Sequence, residues 1–195
     1  MHRKWIFPLL IVALLFIGCS QVQKTSEKEQ LREKIDQALA QHNYFASKFN
    51  ESYSIWKEGR DKLNLAMEWD NYYLTNMTKR NSLSYLVKAR DYVIQAKSLF
   101  ELAEEKFKAL QNEAKTEKQK QAVDLSLQAI KLYEDACDEY VKCIQIEAQG
   151  KLLSKDYTSC MGSFLDKLDK ADKIMIFNVT LLLQEDYFDA MMGKN

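Results

Sequence analysis

The chain is short of most things that build sheets, tight hairpins or reactive sites. Of its 195 residues one is proline, Pro8, and five are glycine. Ile, Val and Thr never alternate with polar residues over a strand's length, so no β architecture is expected. Charge of one sign is missing too: 28 Lys and Arg balance 28 Asp and Glu. Without a basic block there is no electrostatic footprint for nucleic acid and no polybasic grip on acidic lipid. Carboxylates instead alternate with lysines, as in residues 101–108 (ELAEEKFK), the pattern of a solvated helix face. The histidines are His2 and His42, and no Glu-x-x-His pair, Cys-x-x-Cys pair or Gly-rich phosphate loop occurs. The expectation is a non-enzymatic protein with no catalytic residue, no metal and no cofactor, whose partners recognise shape and apolar surface.

What is present begins with an apolar run, residues 5–17, behind Arg3 and Lys4. That is the layout of a secretory signal. A membrane-spanning helix needs roughly 20 apolar residues, and this run is shorter, with Pro8 near its start. An ordinary cleavage site wants small residues at the third and first positions before the cut, where this chain has Phe16 and Gly18. The segment Leu15-Phe16-Ile17-Gly18-Cys19 resembles the lipobox of bacterial lipoproteins, with Phe16 where leucine is more usual. The resemblance covers the first 20 residues. It implies that the Cys19 thiol receives a diacylglyceryl group, that the signal is cut in front of it, and that the new amine is acylated, for example by palmitate. Ser20, a non-aspartate, resembles the outer-membrane sorting pattern where the envelope has two membranes. The organisation expected is a signal peptide (1–18), a lipidated cysteine with a short tether (19–25) and a helical domain (26–195).

The domain reads as helix throughout. Ser26-Glu27-Lys28-Glu29 is a capping box. From there Leu31, Ile35, Ala38, His42, Phe45, Phe49, Ser52 and Trp56 recur at steps of four and three, a seven-residue seam. Leu63, Met67, Leu74 and Met77 carry the apolar face onward. As one helix, this stretch would far outreach the second, so a kink or break at Gly59 is expected. Polar residues 76–82 make the first turn. Leu86, Ala89, Val93, Ala96, Phe100, Ala103, Phe107 and Leu110 form the next seam, small and large side chains alternating as close helix packing requires. After a turn at 112–115, Thr116-Glu117-Lys118-Gln119 repeats the capping box.

The third helix has two apolar rows, one from Val123 to Ile144 through Ile130, Tyr133, Cys137 and Tyr140. The other holds Ala122, Leu125, Ala129, Leu132 and Ala136. So wide a stripe meets two neighbours. Gly150 ends it, Ser154 can cap a fourth helix, and Tyr157, Met161, Phe164, Leu168, Ala171, Met175 and Leu182 face inward. The fold expected is all-α, an antiparallel bundle of about four long helices with coiled-coil-like packing.

Lipidation of Cys19 leaves Cys137, Cys143 and Cys160. Paired positions in an antiparallel hairpin are equidistant from its turn, which favours Cys143 with Cys160 about Gly150, the alternative being three free thiols. Cys137 reads as a small buried hydrophobe. His42 reads as a core or boundary residue, and Met191-Met192 as an apolar terminus rather than a copper site.

The aromatic residues Tyr53, Trp56, Trp69, Tyr72 and Tyr73 carry the functional expectation. Aromatics at helical spacing pack inward as core, or anchor a partner or ligand where exposed. Two functions stay open. One is a lipid-anchored extracytoplasmic module of the cell or outer membrane that binds a protein partner. The other is a small-molecule-binding or sensor bundle with an aromatic pocket near Trp56 and Trp69.

Overall fold

The computed structural model describes residues 6–79 and 81–194, with side chains from residue 28 onward. Cys19, the lipobox side chains and the Ser26-Glu27 half of the first capping box lie outside that description. The described residues are helical, joined by short turns. Helix α1 is Ile6–Thr75, α2 is Leu83–Leu110, α3 is Glu117–Ala148 and α4 is Lys155–Asp172. A π-helical turn, Lys173–Asn178, continues α4 into α5, Val179–Met191.

The chain divides into two compact units. In the larger, Asn43–Asp186, partner residues show the direction of each helix pair. Phe49 of α1 meets Phe107 of α2 with ring centroids 5.0 Å apart, and Trp69 stacks on Tyr85 at 5.9 Å. Numbers rise on one helix as they fall on the other, so the pair is antiparallel. Phe100 on Tyr133 (4.8 Å) and Lys97 on Asp138 (2.6 Å) show the same for α2 and α3. Tyr140 on Phe164 (4.4 Å) does so, with Tyr157 on Glu147, for α3 and α4. Helices α1 and α3 are parallel, since Trp56 meets Tyr133 and Asp70 meets Tyr140. Consecutive helices are thus antiparallel around one core, the arrangement of an up-down bundle.

The core is the set of seams. All eight inward positions of α2 are buried, and α3 buries residues on both of its rows, which face α2 and α4. The ends are fixed locally. Thr116 Oγ1 accepts from the Gln119 amide (3.1 Å) in a complete capping box, and Ser154 Oγ accepts from the Tyr157 amide (3.2 Å). Gly150, at φ +73°, closes α3 in the left-handed conformation that glycine adopts without strain.

The expected break at Gly59 does not occur: α1 runs through it. The reason is packing. A Cβ placed on Gly59 would stand 2.8 Å from Phe100 Cε1 and 3.2 Å from Leu99 Cβ. The missing side chain is what lets the fully buried Phe100 seat against the α1 backbone. Contact with α2 offsets the ~1 kcal/mol that glycine loses relative to alanine in a helix. Gly59→Ala is therefore expected to destabilise the bundle despite its better helix propensity. Phe100 is held by its stack on Tyr133, so overpacking of about 1–3 kcal/mol outweighs the gain. Urea unfolding checks this; an unchanged or raised midpoint would show that the contact relaxes freely.

The smaller unit joins Met1–His42 with Tyr187–Asn195. Among its described residues the buried His42 ring lies 5.3 Å from Tyr187, and Gly193 approaches Ile35 and Leu31. Met191 and Met192 are exposed.

Candidate functional site

The five aromatic residues separate into two environments. Tyr53, Trp56 and Tyr73 turn inward. Trp56 is 3 % exposed and sits between Tyr53 (4.7 Å) and Tyr133 (5.8 Å), while Tyr53 extends the stack to Phe49. Burial raises the Tyr53 phenol above its ordinary range, with Lys57 acting in the opposite sense. Tyr73 is buried and directs its hydroxyl to the Glu147 carbonyl (3.5 Å).

Trp69 is half-buried at the edge of the core, and Tyr72 turns outward. One helical turn apart on α1, they meet Tyr85, which the first turn of the chain brings back on α2. Ring centroids are 5.5 Å between Trp69 and Tyr72 and 6.4 Å between Tyr72 and Tyr85. Lys88, one turn beyond Tyr85, places its Nζ 4.0 Å from the Trp69 ring, a cation–π contact. Tyr72 is 54 % exposed, and Met77, Leu83 and Val87 near the same turn are exposed as well. The cluster forms an aromatic platform capped by Lys88, in which Tyr85 and Lys88 are members that the periodicity of α1 does not single out, while Leu83 and Val87 lie on the opposite flank of α2.

Two polar groupings inside the bundle were also not anticipated. Arg60 of α1 donates to both carboxylate oxygens of Asp172 (Nε to Oδ1 3.0 Å, and 2.9 Å to Oδ2), and the Tyr133 hydroxyl donates to the same Oδ1. Burial works against the Arg60 charge, but Asp172 outweighs it and holds the guanidinium more firmly protonated than usual. Burial, then the Asp172 hydrogen bond, raises the Tyr133 phenol. Asp172 is the residue from which the π turn starts, so the fork ties α1 to the point where the last helix widens. The second grouping, Asp70 with Glu147, Tyr140 and Tyr157, lies at the end of the bundle where α1 finishes and α4 begins.

Cys143 and Cys160 are joined by a disulfide, their Cα atoms 5.7 Å apart, which staples α3 to α4. Cys137 is free and buried, and burial, then Asp138, pushes its thiol up to about 12, so it stays protonated near neutral pH. Among the described residues no cluster of three or more His, Cys, Asp or Glu is arranged to hold a metal ion. No described helix is long and apolar enough to cross a membrane. Comparison with protein-family models, with curated proteins and with solved structures finds no match for this chain, so the geometry and the sequence carry the functional reading between them.

Proposed function

We propose that the chain is a lipid-anchored extracytoplasmic bundle that works without catalysis, presenting a helix face to a protein partner in the cell envelope. The observation that carries this reading is the aromatic platform at the helix surface, in which half-buried Trp69 and Tyr85 hold the exposed Tyr72 in place. Aromatic side chains offer large contact area at low entropic cost, which is why they anchor interfaces. The lipobox-like segment ending at Cys19 supports the anchor, in the cell membrane or, with Ser20 behind it, the outer membrane. The Cys143–Cys160 bridge supports an oxidising compartment. Each buried methylene of an acyl chain contributes ~0.8 kcal/mol, so two or three chains hold firmly where a charge-balanced surface gives no electrostatic help. An aromatic pocket shared by Trp56 and Trp69 draws no support, because the two tryptophans belong to separate clusters.

Mass spectrometry of the exported protein is expected to find Cys19 as an acylated N-terminus, and Cys19→Ala to move the protein from the membrane to the soluble fraction. A photo-crosslinker at Tyr72 or Lys88 is expected to capture one discrete protein that the same group at Lys120, on α3, does not. An unmodified Cys19 would remove the anchor from the proposal. Equal capture at all three positions would remove the interface.

A further inference from the structure

Asp70 and Glu147 come from different helices, α1 and α3, and are 5 % and 1 % exposed. Each has one oxygen accounted for. The Tyr140 hydroxyl donates to Asp70 Oδ2 (2.8 Å) and the Tyr157 hydroxyl to Glu147 Oε1 (2.7 Å). The remaining oxygens, Asp70 Oδ1 and Glu147 Oε2, are buried and receive no donor from any other group. Asp70 acts directly on the Glu147 carboxyl, so the two acids are neighbours in the bundle interior. The groups that face them are Tyr73 of α1, Tyr140 of α3 and Tyr157 of α4, all phenols, and among the described residues no lysine, arginine or histidine acts on the Glu147 carboxyl.

Two ionised carboxylates cannot share such a place. Like charges at contact in a dry interior repel strongly, and two orphaned acceptors would each carry an uncompensated desolvation cost. One proton resolves both difficulties, since a neutral carboxyl gains the O–H donor that the other carboxylate lacks. We propose that Asp70 and Glu147 form a proton-binding site, one proton shared between Asp70 Oδ1 and Glu147 Oε2, whose loss loosens the joint of α1, α3 and α4. Burial, then the adjacent Asp70, pushes Glu147 up to about 8, with the Tyr157 hydrogen bond working the other way.

In the unfolded chain Glu147 ionises from about pH 4.5, whereas in the bundle it keeps its proton to about pH 8. Between those values the folded state binds more protons than the unfolded state, so this site's contribution to stability falls as pH rises and levels off above the window. Glu147→Gln is the decisive variant. Its amide can donate to Asp70 and still accept from Tyr157, so it copies the protonated state and does not titrate.

The test is thermal unfolding of the full-length protein in detergent, read from pH 5 to pH 9. The Tm of Glu147→Gln is expected to match wild type at pH 5 and to exceed it by a margin that grows to several degrees at pH 8. Asp70→Asn is expected to flatten the wild-type slope in the same way. Infrared spectra of the unmutated protein should show a protonated carboxyl band at neutral pH that an alkaline titration removes. A constant difference between Glu147→Gln and wild type across the range, or no such band, would overturn the proposal. Calcium chloride is the remaining arm. A rise in wild-type Tm at pH 7 that Glu147→Gln abolishes would make the occupant a divalent cation and would equally overturn it.

Discussion

Reducing the Cys143–Cys160 bridge, or replacing both cysteines with alanine, is expected to cost about 3 kcal/mol, or roughly 6–12 °C in Tm for a chain of this size. The bridge spans 17 positions of sequence and closes the α3–α4 hairpin at its turn. Its main effect is to deny the unfolded hairpin the freedom to separate. The folded hairpin keeps its other ties, the Tyr140–Phe164 stack and the Tyr157–Glu147 hydrogen bond, so the reduced protein should still fold with unchanged helix content. Circular dichroism melts with and without dithiothreitol decide it. Identical midpoints would mean that the hairpin is already ordered in the unfolded ensemble, or that the thiols are not bridged in the isolated protein. The size of the loss also bears on location, because a bundle that relies on this staple is best suited to a compartment where disulfides persist.

The bundle was legible because its seams are almost purely apolar. Steps of four and three picked all eight buried positions of α2, and the double row on α3 announced two neighbours. Equidistance from Gly150 pointed to the same cysteine pair that the structure joins. The pattern misleads where the seam carries something other than an apolar side chain. Gly59 lies three residues after Trp56 and four before Leu63, on the inward spacing, so its meaning was close approach rather than a break. Asp70 falls between Ala66 and Tyr73 on the same spacing, and Glu147 follows Tyr140 and Cys143 on α3. An acid on an inward spacing is a signal, yet it reads as ordinary surface charge until the partner helix is known.

The aromatic residues divide by the same rule. Tyr73 occupies the seam, whereas Trp69 and Tyr72 stand one position before the inward-facing Asp70 and Tyr73 and so flank it. Their platform could not be read from α1 alone, because Tyr85 and Lys88 complete it from α2. The π turn had no comparable trace in the sequence pattern, and with it went the placing of Asp172.

Asp172→Ala is expected to destabilise the larger unit by about 2–3 kcal/mol, the lower part of the range for breaking an enclosed ion pair because both side chains keep some solvent contact. The substitution strands two donors at once. Arg60 loses its bidentate acceptor and retains Asn64, while the Tyr133 hydroxyl loses the carboxylate inside the aromatic core. Asp172→Asn should cost less, since its side-chain oxygen still accepts from Tyr133 although the countercharge is gone. Arg60→Met in the Asp172→Ala background should then recover part of the loss, because it removes the stranded charge and keeps the aliphatic stem packed. Urea unfolding of wild type, Asp172→Ala, Arg60→Met and the double variant forms a double-mutant cycle with an expected coupling above 1 kcal/mol. Additive losses would instead assign the fork no net role and leave the π turn to be held by the packing of Ala171 and Met175 alone. A large coupling would make Arg60 the residue that fixes where α4 widens, and so sets the register with which the last helix continues beyond the turn.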